Sequence, residues 1–322
     1  MFLFFTNNSD LNYVIFILLC ILSVVLIIYL ILFAISVMVF KRSFVRAKTF
    51  LKGKKSEKWQ KYKNEIDASW EKLDKLEKED IYLSGYKNKK IHATFIKSNT
   101  GSKKVILFSH GWKNMGLNDY ACAGMYYHEK GYNVLVVDHL AHGESEGKYI
   151  TFGLNDKENI LKWVDYINNL FESDCEIYMH GLSMGSSTVC YMAKYDMKNV
   201  KGIIADSGFM DGYELAKHII SSRFKFLPSV ILFNVRILCM LIAHFDIKKC
   251  NTKESLIKSK YPILFMHGDS DNFVPTIHSI NSYEACTSEK SIVLFDRSAH
   301  IIACLMHKEK YQNTVLEFIE NH

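Results

Sequence analysis

Proline is nearly missing from this 322-residue chain, with three residues against 16 glycines. That excludes a proline-rich linker protein and a collagenous repeat. None of the eight cysteines forms a C-x-x-C pair, which removes zinc-ribbon and thioredoxin-like readings. Most of them sit in apolar runs, so free thiols in a reducing compartment are expected. H-E-x-x-H, G-x-x-x-x-G-K-[ST] and a dinucleotide fingerprint are all absent, so no metal and no cofactor is implied. Acidic residues are lacking between Lys41 and Lys55, a stretch that holds Lys41, Arg42, Arg46, Lys48, Lys52, Lys54 and Lys55. Those seven cations exceed the formal net charge of +6, so the rest of the chain is close to neutral. A near-neutral body argues against nucleic acid as a partner. At 49% hydrophobic and 23% charged residues the composition is that of a globular protein.

Charge is also absent from Tyr13 to Phe40, where Leu, Ile, Val and Phe dominate. A bilayer crossing needs about 20 apolar residues, so this run can span one even when tilted. A cleaved signal peptide would have a basic start and a shorter apolar core. Here no Lys or Arg precedes the run, and Ala34-Ile35-Ser36 is a poor cleavage site. An uncleaved single-pass anchor within residues 1–40 is therefore expected. The basic residues all follow it, and the positive-inside rule then puts the N-terminus outside and the body in the cytoplasm.

Residues 41–79 read as a basic juxtamembrane stretch followed by an amphipathic helix, with Trp59, Tyr62, Ile66, Trp70, Leu73 and Leu76 recurring every three or four residues. Residues 80–322 read as one α/β domain. Ile81–Leu83 and Ile91–Ile96 suggest a strand pair. Val105–Phe108, Val134–Val137, Glu176–Met179, Gly202–Ala205, Ile263–Met266 and Ile292–Phe295 are short apolar runs bounded by polar residues or Gly. Helical stretches are predicted near Asp119–Lys130, Asp156–Phe171, Ser186–Tyr195, Ile277–Cys286 and Lys308–Glu320. Such alternation gives a mostly parallel sheet covered on both faces. About 207–260 forms a long insertion without strand pattern. Its apolar run from Leu227 to Ala243 is broken only by Arg236, and helices are expected there.

Gly181-Leu182-Ser183-Met184-Gly185 follows one strand and precedes a helix, the context of a nucleophile elbow. Ser183 then projects at a helix N-terminus, where backbone N–H groups favour negative charge. A serine hydroxyl needs a base. Asp271, in His267–Pro275, and His300, in Asp296–His300, follow later strands in the order serine, acid, histidine. In that arrangement His300 takes the proton of Ser183, and Asp271 orients the imidazole. Asp269 and Asp206 compete with Asp271 for the acid position. The oxyanion hole is expected from the N–H groups of Met184 and Trp112, the latter in Ser109-His110-Gly111-Trp112.

These segments, with Asp138–Ser145 (DHLAHGES) and His180–Gly185 (HGLSMG), resemble the α/β-hydrolase superfamily. They are most similar to serine hydrolases of the esterase, lysophospholipase and monoacylglycerol-lipase type, including bacterial membrane-anchored enzymes. The resemblance runs from about Asp80 to the C-terminus. Relatives often carry Arg-Gly where this chain has Leu140-Ala141, which puts the hydrogen bonds of that loop in question. In the family, the histidines of His-Gly pairs brace loops, as expected here for His110, His142, His180 and His267. The resemblance implies a serine hydrolase cleaving a carboxylic ester, small-molecule or lipid, through an acyl-enzyme, with the insertion at about 207–260 as a helical cap and apolar lid. Acyl transfer, thioester hydrolysis by the same residues, or a non-catalytic hydrolase-fold membrane protein are the alternatives.

Overall fold

The computed structural model describes residues 8–47 and 57–322. Four of the seven clustered cations, Lys48, Lys52, Lys54 and Lys55, lie outside the described residues.

Eight strands make one sheet: β1 Glu79–Ser84, β2 Lys90–Ile96, β3 Lys104–Ser109, β4 Asn133–Asp138, β5 Glu176–Leu182, β6 Val200–Asp206, β7 Ile263–Gly268 and β8 Lys290–Phe295. Their order is β1-β2-β4-β3-β5-β6-β7-β8. β2 runs antiparallel to β1 and β4, and the remaining pairs are parallel. Every residue of β4 and of β7 is buried. A parallel sheet covered on both faces requires this, and it is why these strands read as unbroken apolar runs.

Thirteen helices accompany the sheet among the described residues: α1 Asn8–Phe44, α2 Glu57–Gln60, α3 Lys63–Lys75, α4 Gly116–Ala123, α5 Met125–Glu129, α6 Lys157–Leu170, α7 Met184–Met192, α8 Gly212–Arg223, α9 Pro228–Ile242, α10 Lys253–Ile257, α11 Ile277–Ala285, α12 Ala303–Met306 and α13 Lys308–Asn321. One face of the sheet packs against α3, α4, α5, α12 and α13 around Phe108, Tyr127 and Tyr311. The other packs against α6, α7 and α10 around Trp163, Met179 and Phe265. The single amphipathic helix expected at Trp59–Leu76 is two pieces. The chain turns at Tyr62 (φ −106°, ψ 13°), and Ile66 and Leu73 of α3 point into the body.

A third apolar core stands apart from the sheet and joins α1, α8 and α9. α1 is long and apolar enough to cross a membrane. From Leu11 to Ile31 its side chains are exposed. From Leu32 onward one stripe is buried, Leu32, Ser36, Phe40 and Phe44, each four residues apart on one helical face. The Ser36 hydroxyl donates to the Leu32 carbonyl at 2.7 Å, so its burial leaves no unpaired donor. Phe44 packs its ring against Phe152 and Phe245, with centroids 5.0 and 5.7 Å apart. The chain after α1 stays docked. Val45 bridges to Tyr149, Ile150 N–H donates to Phe44 O at 2.8 Å, and Arg46 N–H donates to Lys148 O at 2.9 Å. The Arg46 guanidinium donates to the carbonyls of Ser145 and Gly143.

Candidate active site

The C-terminal ends of the parallel strands share one edge of the sheet, because Ser109 pairs with Gly181, Leu182 with Asp206 and Gly268 with Phe295. Ligands of open α/β sheets bind at such an edge. β5 stops at Leu182 and α7 starts at Met184, so Ser183 alone makes the reversal. Its backbone sits at φ 53°, ψ −112°, a conformation that costs about 1–3 kcal/mol in a residue with a Cβ. The surroundings impose it. Ser183 N–H donates to Asp206 O at 2.8 Å. A Cβ on Gly185 would stand 2.0 Å from Ser109 O, and one on Gly181 would stand 2.3 Å from Gly185 O. The two glycines let α7, β5 and β3 close around the serine.

The structure brings the three predicted residues together. His300 Nε2 lies 2.9 Å from Ser183 Oγ, and His300 Nδ1 lies 2.5 Å from Asp271 Oδ2. Asp271 is buried and every lone-pair direction is used. Its Oδ1 accepts from Phe273 N–H at 2.8 Å and Val274 N–H at 2.9 Å, and His267 Nε2 reaches Oδ2 at 3.1 Å. Burial alone would raise its pKa, but the hydrogen bonds from His267 and His300 hold it well below the usual carboxylate range. His267 Nε2 faces two acceptors, Asp271 and Val274 O at 2.9 Å, so that nitrogen carries the proton and Nδ1 accepts from Ser279 Oγ at 2.6 Å.

Neither competing acid touches His300. Asp206 accepts from Tyr311 and Ser207 hydroxyls, each at 2.7 Å, and burial keeps its pKa raised despite them. Asp269 is exposed beside Ser270.

The loop after β3 runs directly beside the serine, since a Cβ on Gly111 would come within 3.5 Å of Ser183 Cβ. Asp119 Oδ2 accepts from Gly111 N–H at 2.7 Å, and His142 Nε2 accepts from Lys113 N–H at 3.0 Å, fixing the loop on both sides of Trp112. Met184 is the first residue of α7, so its N–H has no acceptor within the helix. Three rings, His110, His139 and His142, pack edge to face behind this loop, with His110 4.7 and 4.9 Å from the other two. Their nitrogens bond to Gly111 O, Ser109 Oγ and Leu140 O. Burial pushes His110 down to about 4 and His142 well below its usual value, so both are neutral bracing groups. His180 braces elsewhere, between the hydroxyls of Tyr127 (2.7 Å) and Tyr311 (3.3 Å), and burial lowers it to about 3.

The loop with Leu140-Ala141 keeps its bonds. Asp138 accepts from Gly116, Glu144 and His92, and Ser145 Oγ donates to Asp138 O at 2.7 Å. Ala141 takes the left-handed backbone (φ 63°) that glycine would adopt freely.

A cavity of about 300 Å³ opens over Ser183, at the small end of the roughly 300–1,000 Å³ of ligand sites. Phe152, Phe209, Leu215, Ile219, Phe224 and Phe273 contribute to its apolar wall. The cap enters through α8. α9 packs behind it against α1, and Phe233 of α9 is 58% exposed. A second, more polar recess, which His300 also lines, is formed by His218, Ser222, Arg223 and Asn272.

With this sheet order, elbow and strand-end geometry, residues 104–239 match the family model described as the alpha/beta hydrolase fold. The chain has the α/β-hydrolase fold. An esterase of Pyrococcus furiosus, Pf2001, superposes with a TM-score of 0.63 at 20% identity, covering 87% of this chain and 98% of that one. Est1E of Butyrivibrio proteoclasticus, with ferulic acid bound, gives 0.58 at 21%, covering 74% and 99%. By sequence, the uncharacterised protein YqkD of Bacillus subtilis is 26% identical over 219 residues, 67% of this chain and 71% of its own. The alpha/beta hydrolase domain-containing protein WAV2 of Arabidopsis thaliana is 22% identical over 251 residues, 76% and 79%.

Sequence reasoning missed two contributors to this hydrolase-fold site. Asp119 acts only through the loop whose folding brings it near Gly111. The second is α1: Met38, Val39, Arg42 and Ser43 line the cavity, and the Trp112 indole N–H donates to Ser43 O at 2.8 Å. No periodicity marks the buried stripe in a run that is apolar at nearly every position. His267, expected to brace a loop, bonds Val274 O and also reaches Asp271.

Proposed function

We propose that this protein is a membrane-anchored serine hydrolase that cleaves carboxylic esters, including lipid or acyl esters, through an acyl-enzyme. The observation that carries this reading is the unbroken relay Ser183–His300–Asp271, at 2.9 and 2.5 Å, opening into an apolar cavity. His300 takes the Ser183 proton as Oγ attacks the ester carbonyl, and the oxyanion forms against the N–H groups of Met184 and Trp112. The C–O bond then breaks, and His300 returns the proton to the leaving alcohol, for which the recess at His218 and Arg223 has room. Water, deprotonated by His300, attacks the acyl-Ser183 ester and releases the acid and the free serine.

α1 tethers the body to a membrane, and the cations that follow it favour the cytoplasmic side. Labelling by a fluorophosphonate tests the nucleophile: wild type should react and Ser183→Ala should not. Undiminished labelling of that variant would reject the assignment. A pocket of this size and lining favours acyl chains over acetyl, each buried CH₂ adding about 0.8 kcal/mol until the space is full.

A further inference from the structure

We infer that the membrane anchor is itself a wall of the acyl site, and that a long-chain ester enters that site from the bilayer along α1. This rests on the reading of Ser183 as the nucleophile and goes beyond it, because it gives α1 a part in selecting substrate.

Three observations carry it. The first is contact: Val39 and Ser43 of α1 face the same cavity as Ser183 and Met184, with Met38 and Arg42 at its edge. The indole of Trp112, from the candidate oxyanion loop, is fixed by its bond to Ser43 O. The same four residues of α1 oppose Leu215, Ile219 and Phe224 across the space. Removing α1 would leave the cavity open on that side.

The second is position along the helix. The fully exposed stretch Leu11–Ile31 is about 31 Å long at 1.5 Å per residue, matching a hydrocarbon core of about 30 Å. Burial begins at Leu32, so the protein body starts where the hydrocarbon ends. Val39 lies seven residues on, about 10 Å further along the axis. A headgroup layer is about 5–8 Å deep, so Val39 lies at its outer edge, and a lipid ester, which sits next to the hydrocarbon, is drawn outward along α1 by several ångström to reach Ser183.

The third is a path. A groove lined by Ala34, Val37, Met38, Lys41, Arg42 and Lys113 runs along α1 and adjoins the cavity at Met38 and Arg42, its apolar side made by Ala34, Val37 and Met38 and its cations placed to face headgroups. Ala34 is the small residue at its far end. Beside it the cap is greasy outward: Phe226 (63%), Phe233 and Leu241 (71%) are exposed, an apolar face that suits the bilayer surface next to a spanning helix. The occupant these features fit is the acyl chain of a membrane-resident ester, its carbonyl at Ser183 and its polar end toward Arg223 and the recess beside His300.

The test uses the full chain in lipid vesicles and p-nitrophenyl esters from butyrate to palmitate, reading the ratio of kcat/KM for palmitate over butyrate. Val39→Trp fills the cavity from the α1 side, and its ratio should fall about tenfold. Val39→Ala, which disturbs packing little, should move the optimum to longer chains. Ile27→Trp, on the lipid-facing stretch, should keep the wild-type profile. Fluorophosphonate labelling of Ser183 reports in each variant that the site is folded. If both Val39 variants are labelled and keep the wild-type profile, α1 is only a tether and the inference is overturned. If the wild type cleaves no ester and Ser183 is never labelled, the underlying hydrolase reading fails as well. A Val39-dependent profile with Ile27→Trp unaffected supports it.

Discussion

Single residues decide whether the elbow exists. Gly185 has Ser109 O where its Cβ would be, and backbone cannot move aside as a flexible side chain can. Gly185→Ala is expected to abolish fluorophosphonate labelling with the α/β body still folded by circular dichroism. Labelling at the wild-type rate would show that the turn relaxes. Asp271→Asn keeps the shape of the acid but presents an N–H₂ or a weak acceptor to His300 Nδ1, favouring the wrong tautomer. Such a change lowers kcat by about 10⁴-fold in a Ser-His-Asp enzyme, and the ester assay should show a loss of that order. Asp206→Asn should do far less to kcat, because Asp206 bonds Tyr311 and Ser207 and not His300. At this scale much was readable in advance. Ser183, His300 and Asp271 stand in motifs whose chain order and strand ends restrict where they can meet. Asp119 was not readable, since a carboxylate beside a turn has many uses until the loop is folded, and His267 was readable as a loop brace but not as a partner of Asp271.

Elements were legible where their chemistry is one-sided. The central parallel strands are buried on both faces and show as apolar runs between polar ends, and all eight strands, the more exposed β1 and β8 included, emerged within a few residues of their bounds. α1 is the opposite case. Apolar side chains that suit lipid suit a protein core equally well, so the run from Tyr13 to Phe40 did not disclose that its last part packs on the cap. The insertion was likewise readable as helical, but not that α8 lines the cavity while α9 supports α1. This division is measurable. Phe44 is buried against Phe152 and Phe245, and Phe44→Ala should destabilise the body by about 3–5 kcal/mol, as truncations of core phenylalanines do. Phe16, 65% exposed on the same helix, should be nearly silent when changed to Ala. Equal effects on the thermal midpoint in detergent would mean that the lower part of α1 is not core.

At the scale of the whole molecule, charge and burial set two properties. The cations Lys41, Arg42 and Arg46 stand where α1 meets the body, which argues for a cytoplasmic body. A C-terminal reporter that fluoresces only in that compartment should be active, and protease reaching the body from outside intact cells would contradict it. The second property is pH-dependent stability. His110 is lowered to about 4 and His180 to about 3, His142 lies well below its ordinary value, and His278 is lowered too, burial being the first cause in each. In an unfolded chain these rings take up a proton near pH 6.5. Between there and about pH 4 the unfolded state therefore binds more protons than the folded one, and stability must fall as the solution is acidified. His110, His142 and His180 each contribute a slope of about 1.4 kcal/mol per pH unit in that window, and His278 adds to it in the same direction. His92 opposes the trend: burial lowers its pKa, but Asp138 and Asp80 overcome that and raise it, so its contribution is present at low pH and lost as pH rises through its folded value. The depressed carboxylates Asp138 and Asp271 add nothing until pH approaches 4, below which their contribution is lost in turn. The net expectation is a steep loss of stability from pH 6.5 toward 4. His180→Gln can still meet the hydroxyls of Tyr127 and Tyr311 but cannot titrate, so it should flatten the slope by about one proton while lowering the plateau near neutrality. Denaturation of the detergent-solubilised protein at half-unit pH steps measures both. A wild-type curve that is level from pH 6.5 to 4.5 would mean that these rings are protonated in the folded state and that the bracing behind the loop after β3 is not neutral.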